Sequence, residues 1–132
     1  MHIGFTGTQT GMTEHQKERV KESLEYWYKP NNSHFHHGDC VGADEQAATI
    51  ADDLGYTIHC HPPKNPKKRA YFKHNDVMNP EKEYLERDRD IADGCDLLIA
   101  TPKTHTEQKR GGTWYTIRYA MDKGHNVHTI YP

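Results

Sequence analysis

Short apolar segments alternate along the chain with longer segments of helical periodicity. Val20, Leu24 and Trp27 recur at the spacing of one helix face, and three later segments repeat this pattern, so we predict four helices. The apolar segments between and around them are short and bounded by Gly, Asn or Pro, which favours strands. The five predicted strands are "HIGFTG", "SHFHH", "YTIHCH", "CDLLIAT" and "NVHTIY".

Strict alternation of strands and helices predicts an α/β fold, because parallel strands need crossover connections. Right-handed crossovers favour a Rossmann-like open parallel sheet of about five strands, in the order 3-2-1-4-5, with helices on both faces. "CDLLIAT" is the most apolar strand and is expected near the centre. Thr13 and Gln16 form a capping-box pattern at the first helix, and Gly55 is a C-cap signal for the second.

The length and composition indicate a small domain. At 132 residues, we expect one domain spanning 1–132. The hydrophobic share of 33% is low, so a partner subunit that covers part of the surface would help, and we expect a homo-oligomer, a dimer or higher. The formal charge of −2 predicts no bulk attraction to nucleic acid or to a membrane.

The cysteines and the apolar segments indicate the cellular setting. Cys40, Cys60 and Cys95 are widely spaced and form no CxxC pair, which favours reduced thiols and a cytoplasmic location. No signal peptide and no apolar run long enough for a membrane span is recognised.

Polar loops follow the predicted strands, and in open parallel sheets such loops meet at one edge and bind ligands. After the first strand, "TGTQTG" supplies Thr6, Gly7, Thr8 and Gln9, whose amides and hydroxyls can face a ligand closely. The alternative is an ordinary polar turn.

After the second strand, Gly38 and Gly42 form a turn onto a helix, and we expect a ligand to lie close over it. Asp39, Asp44 and Glu45 accompany this turn and could accept hydrogen bonds from a sugar or base. Asp44 and Glu45 could instead only complement the helix dipole.

The loop after the apolar strand contains the best anion-site pattern in the chain. Arg110 precedes Gly111, Gly112 and Thr113 at a helix start, where free amides, a hydroxyl and the positive helix end coincide. Arg87, on the preceding helix, could reach a ligand or pair with Asp90 on the helix surface.

Two further patterns bear on whether a metal or a nucleic acid binds. The histidines show no quartet with zinc-site spacing, so no metal and no cofactor is expected. The long segment from Pro62 to Pro80 contains "PKKR", which is either a nucleic-acid patch or a loop that folds over a small anion; near-neutral charge favours the anion.

Taken together, "IGFTGTQTG", "HGDCVGADEQA", "YLERDRDIADGCDLLIA" and "RGGTWYTIRYA" resemble the SLOG superfamily, named for Smf/DprA and LOG proteins. The resemblance covers nearly the whole chain and matches the small, stand-alone nucleotide-binding members. It implies a Rossmann-like fold, a nucleotide-type ligand at the strand ends and a tendency to dimerise.

One departure from the superfamily concerns catalysis. In LOG enzymes, which release a base from a nucleoside monophosphate, the comparable late motif is P-G-G-x-G-T-x-x-E. Gly111, Gly112 and Thr113 match in kind, but Arg110 stands in place of the proline and Thr116 in place of the glutamate. The resemblance therefore implies a phosphate site without the family's ribose-engaging glutamate.

Two hypotheses about function follow from these residues. The first is a module that binds a phosphorylated nucleotide, to sense or sequester it, without turnover. The second is a nucleotide N-glycoside hydrolase, in which Asp39, Asp44 or Glu45 stabilises an oxocarbenium-like centre or activates water and Arg87 holds charge.

Overall fold

The computed structural model describes Met1–Pro132 and contains four α-helices, six β-strands and a short 3-10 helix at Pro66–Lys68. The α-helices and strands are named in chain order. They are β1 (His2–Gly7), α1 (Glu14–Trp27), β2 (His34–His37), α2 (Ala43–Leu54), β3 (Thr57–Cys60), β4 (Val77–Met78), α3 (Tyr84–Asp93), β5 (Leu97–Thr101), α4 (Gly112–Asp122) and β6 (Val127–Thr129). No helix has both the length and the apolar character that crossing a membrane requires.

All six strands form one parallel sheet in the order β4-β3-β2-β1-β5-β6. The predicted order of the five main strands is confirmed. The additional edge strand β4 lies in the segment expected to be a loop. Its two residues are exposed, and the pairing is anchored by Asp76, whose backbone N–H donates to Ile58. Such a short, polar-flanked strand has no alternation that a sequence pattern would reveal.

The helices cover both faces of the sheet, as expected. On one face, α1 and α2 enclose the larger core, which includes Phe5, Leu24 and Phe35, each at most 1% exposed. On the other face, α3 and α4 pack over Leu98 and Ala100 of β5. β5 lies between β1 and β6, so the interior position of the most apolar strand is confirmed.

The predicted helix ends are also present. Thr13 and Gln16 form the capping box of α1, and Gly55 ends α2 in the left-handed conformation with φ 97°. Gln16 is buried, and its amide also donates to the carbonyls of Pro102 and Ile130, at 2.7 and 2.9 Å. One side chain therefore caps a helix and holds together the segments that follow β5 and β6.

The long segment between β3 and α3 is attached to the body along the β2–α2 turn. Asp39, completely buried, accepts hydrogen bonds from Arg69 Nε at 2.7 Å and from the backbone N–H of Phe72 at 2.9 Å. The backbone N–H of Ala70 donates to the Asp39 carbonyl, and Val41 donates to Lys68. These contacts give a 19-residue stretch, Pro62–Pro80, a fixed course over the sheet edge.

Candidate functional site

A cleft of about 260 Å³ lies at the carboxyl ends of β1 and β5, where the direction of the chain crossovers reverses. We call it the switch-point cleft. The pairing of Gly7 with Thr101 at the ends of these two strands brings their loops to the same edge. The cleft is lined by Gly7, Thr8, Gln9, Thr10, Tyr84, Lys103, Gln108, Arg110, Gly111, Gly112, Thr113 and Trp114.

The first turn of α4 forms one wall of the cleft and has no side-chain cap. The first hydrogen bond of the helix joins the Tyr115 N–H to the Gly111 carbonyl, so the N–H groups of Gly112, Thr113 and Trp114 precede it. Gly111 has φ 106°, a conformation that favours glycine. By contrast, Thr13 caps α1, and Thr8 O accepts from the first N–H of α2, at Ala43.

The charge in the cleft has one sign. Lys103 and Arg110 line it, and no aspartate or glutamate does. Gln9 and Gln108 add amides, and Thr8 and Thr10 add hydroxyls whose oxygens are 3.1 Å apart. Open helix amides and two cations make this cleft complementary to an anion.

Tyr84, the first residue of α3, separates the switch-point cleft from a neighbouring hollow. Its hydroxyl lies so close to Gly112 that a side-chain carbon there would collide with it. The neighbouring hollow, about 340 Å³, shares Gln9 and Tyr84 with the cleft and is also lined by Lys67 and Lys68. We call it the lysine hollow. The long basic segment therefore does reach the sheet edge next to the cleft.

The glycine turn after β2 is occupied by the protein itself, which corrects the expectation of a ligand directly over Gly38 and Gly42. Above Gly38 lies the guanidinium of Arg87, so a side chain at that position would displace it. Above Gly42, with φ 90°, passes the Gln9 backbone, whose carbonyl fills the space of a side chain. The two glycines therefore allow close packing of α3 and of the β1–α1 loop.

Arg87 is only 2% exposed and does not line the switch-point cleft. Its Nε donates to Asp88 at 2.8 Å, and its Nη1 donates to the carbonyls of Gly38 and His61. Its Nη2 lies 3.6 Å from the sulfur of Cys40. All three guanidinium nitrogens thus have protein partners, which accounts for the burial of Arg87, and its contact with a ligand stays a prediction.

The three carboxylates proposed from the sequence lie in three different places, and none lines the cleft. Asp39 holds the long segment through Arg69. Asp44 is 6% exposed and accepts from the backbone N–H groups of Gly38 and Cys40. Glu45 is exposed and lines a shallow surface depression with Tyr71 and other residues of the long segment.

Burial of carboxylates beside Arg87 changes their acidity. Burial raises the pKa of Asp44 to about 7, although Arg87 and the two backbone N–H donors oppose the shift. Burial likewise raises the pKa of Asp88 to about 6 against the effect of the Arg87 guanidinium. Both groups therefore titrate in a range where ordinary aspartates are fully ionised.

Thr116 occupies the position where the LOG motif has its glutamate, and it faces the protein interior. It is 1% exposed, and its hydroxyl donates to the carbonyl of Gly112 at 2.7 Å. This internal hydrogen bond supports the first turn of α4 and leaves no carboxylate at that position.

Of the residues predicted from the sequence, the cleft brings together seven: Gly7, Thr8, Gln9, Arg110, Gly111, Gly112 and Thr113. Thr6 is buried beneath it and does not line it. The other five lining residues were not among the predicted site residues: Thr10, Tyr84, Lys103, Gln108 and Trp114. Lys103 and Gln108 lie in the loop after the apolar strand, which contains the predicted anion pattern. Tyr84 begins the third of the four resemblance blocks, but no ligand contact was predicted for it.

Comparison with solved structures identifies the class of fold. A molybdenum cofactor binding protein from Rippkaea orientalis matches with a TM-score of 0.71 and 18% identity, over 99% of this chain and 76% of its own. The molybdenum cofactor carrier protein from Chlamydomonas reinhardtii matches with a TM-score of 0.67 and 17% identity, over 97% and 74%. DNA processing protein A (DprA) from Streptococcus pneumoniae matches with a TM-score of 0.67 and 21% identity, over 97% and 49%.

These likenesses establish an open α/β sheet of the Rossmann-like type. The Rossmann-like fold that the four sequence blocks implied is thereby confirmed. No family model matches the sequence, and no curated protein matches it either. The chain spans about half the length of DprA.

Proposed function

We propose that this protein binds a phosphorylated nucleotide, or a small ligand derived from one, in the switch-point cleft and does not turn it over. The observation that carries the proposal is the charge of the cleft, where Lys103 and Arg110 surround an uncapped helix N-terminus and no carboxylate takes part. A phosphate group fits such a site because backbone N–H groups and cations both stabilise it.

The phosphate is proposed to lie against the N–H groups of Gly112 and Thr113, with Arg110 beside them. Thr8 and Gln9, on the opposite wall, would then face the sugar or the base. The cleft alone is somewhat smaller than the ~300–1,000 Å³ of ordinary ligand pockets. The lysine hollow, which adjoins it at Gln9 and Tyr84, provides further room for a base or a second phosphate.

The solved neighbours support a ligand of this size. Two of them are named for binding or carrying the molybdenum cofactor, a small molecule. Others are named as DNA processing protein A, and one of those for single-stranded DNA binding. The near-neutral charge of −2 and the small cleft favour a small anion over a polymer here.

Hydrolysis of an N-glycosidic bond is the second candidate, and one observation favours it. Asp44 has a pKa raised to about 7, as a general acid would need. However, its carboxylate already accepts two backbone hydrogen bonds and does not line the cleft. Binding without turnover therefore remains the better supported function.

The proposal also includes a cytoplasmic homo-oligomer. The three cysteines are free, and Cys40 and Cys60 are buried, which suits a reducing compartment. Tyr26 and Trp27, at the end of α1, are 78% and 40% exposed and offer an apolar surface for a second copy. Sedimentation equilibrium of the purified chain tests the oligomeric part.

The binding proposal is tested with a panel of nucleoside mono-, di- and cyclic phosphates, inorganic phosphate and single-stranded DNA. Thermal unfolding reports binding, because a ligand that binds only the folded state raises its stability. Chromatography of the same mixtures reports any free base. We expect a rise in melting temperature with at least one nucleotide and no base release.

Matched variants connect the result to the cleft. Arg110→Gln should weaken binding by at least about tenfold, since a charge-assisted hydrogen bond is lost. The control is Lys21→Gln, which removes an exposed cation on α1 that does not line the cleft. This variant should bind as the wild type does. Base release that Asp44→Asn abolishes would overturn binding without turnover. Tighter binding of DNA than of every nucleotide would overturn the ligand class.

A further inference from the structure

Five histidines share one face of the sheet on three neighbouring strands, and we call this surface the histidine face. Its members are His2 of β1, His34 and His36 of β2, His59 of β3, and His61 directly after β3. The strand register places His2 beside His34, and His36 beside His59. Because side chains alternate along strands, the residues next to the histidines, such as Phe35 and Ile58, point into the core on the opposite face.

The histidine face is only partly covered by helices. The main contacts of α3 and α4 are with β1, β5 and β6, so β2 and β3 have no helix of their own on this side. On this face His36 is 7% exposed, and the other four histidines are half-buried: His2, His34, His59 and His61. The face is thus sheltered yet open to small solutes.

The imidazole nitrogens face one another directly. His2 Nδ1 lies 2.7 Å from His36 Nε2, and His36 Nδ1 lies 2.9 Å from His61 Nε2. A third contact joins His34 Nδ1 to His59 Nε2 at 2.9 Å. Each contact brings two nitrogens together with a single proton between them, and no carboxylate accepts a hydrogen bond from any of the five rings.

Three of the rings have the arrangement of a ligand set. One nitrogen of each of His2, His36 and His59 lies within 4.8 Å of the other two. A Zn–N bond is about 2.0–2.1 Å, so nitrogens on one ion lie about 3.3–4 Å apart. Small rotations of the rings would therefore bring all three onto one ion.

We propose that the histidine face binds one divalent transition-metal ion per chain, with Zn²⁺ the first candidate, through His2, His36 and His59. Neutral imidazole is a favoured ligand for such ions.

This site is separate from the switch-point cleft and does not depend on the proposed function. His2 begins β1, whereas the cleft lies past the opposite end of that strand, at Gly7. The sequence predicted no metal, because its histidines lack the spacing of a zinc site. The ligands lie 34 and 23 residues apart along the chain and come together only through the strand register.

The test uses the whole chain, freed of metal by chelation and dialysis. Calorimetric titration with Zn²⁺ should give one ion per chain, and Co²⁺ should give a visible ligand-field spectrum. His2→Gln and His59→Gln should each weaken Zn²⁺ binding by at least about tenfold. His15→Gln, exposed on α1 and outside the histidine face, should keep the wild-type affinity.

Thermal unfolding checks that the variants are folded, and Zn²⁺ should raise the melting temperature of the wild type but not of His2→Gln/His59→Gln. Three results would overturn the proposal. They are no saturable Zn²⁺ binding by the folded wild type, one ion shared by two chains, and undiminished binding by His2→Gln/His59→Gln. In the last case, loss of binding in Cys60→Ser would assign the ion to the buried group of His37, Asp39 and Cys60.

Discussion

The hydroxyl of Tyr84 lies against the backbone of Gly112, at the first turn of α4. This contact joins the start of α3 to the wall of the switch-point cleft. It also explains why two adjacent glycines occur there, for different reasons. Gly111 needs its positive φ and has free space around it, whereas Gly112 has no positive φ and no free space.

The two glycines should therefore respond differently to alanine. Gly112→Ala should weaken nucleotide binding by at least about tenfold, because the added methyl displaces Tyr84, and Gly112→Ala/Tyr84→Ala should recover part of the loss. Gly111→Ala should cost about 1–3 kcal/mol of folding stability through its backbone conformation. Adding Tyr84→Ala to Gly111→Ala should not restore this stability. Calorimetry and urea unfolding measure the two effects, and equal rescue of both glycines would contradict this explanation.

The Arg87–Asp88 pair should behave as a buried ion pair. Arg87→Met should lower the free energy of unfolding by about 3–5 kcal/mol, because it leaves Asp88 buried without its 2.8 Å partner. The double variant Arg87→Met/Asp88→Asn should lose less of the free energy of unfolding than Arg87→Met does, because no buried carboxylate is left without a partner. Urea unfolding of both variants and of Asp88→Asn gives the coupling energy. Arg89→Met, half-buried on the same helix, is the control and should cost under about 1 kcal/mol.

Asp44 should make stability depend on pH near neutrality. Burial raises its pKa in the folded state to about 7, well above the ordinary value for an aspartate, so the folded state retains a proton that the unfolded state releases. The stabilisation of the folded state by this retained proton is fully present below about pH 4 and is lost as the pH rises to about 7. Relative to Asp44→Asn, the wild type should lose stability over that interval, by at most about 1.4 kcal/mol per pH unit. Urea unfolding at several pH values measures the difference, and a constant difference would show that Asp44 ionises normally.

Asp39 should protect the long segment, Pro62–Pro80, from cleavage by a protease. Asp39→Asn keeps a residue that tolerates φ 55° but weakens the pairing with Arg69. Trypsin should then cleave after the exposed Lys67 or Lys68 at least about tenfold faster. Glu45→Gln, beside the same segment but with no hydrogen bond or ion pair to it, should be cleaved at the wild-type rate. Mass spectrometry of the fragments identifies the bond, and unchanged cleavage would mean that other contacts hold the segment.

Local sequence signals were sufficient for most of the fold. The capping box at Thr13, the terminal glycine at Gly55 and the apolar run of β5 each act within a few residues, so they could be recognised without tertiary information. β4 could not, since its two residues are ordered by pairing with β3 across the long segment.

The site was predictable only in part, for a related reason. Gly111 to Thr113 form an anion pattern within three neighbouring residues, and the structure places them in the cleft. The occupant of the Gly38 turn, in contrast, is Arg87 from 49 residues further along. A glycine pattern indicates that something approaches closely, but it does not distinguish a ligand from another part of the same chain.

Tyr84 and Arg87 lie three residues apart on α3, so a single turn of helix joins the cleft to the β2–α2 turn. A rigid turn transmits displacement at one end to the other. The ring of Tyr84 borders both hollows, and the Arg87 guanidinium lies against Gly38, beside Asp39 and the segment that it holds. A ligand that fixes this ring should therefore also restrain the β2–α2 turn, which does not line the switch-point cleft.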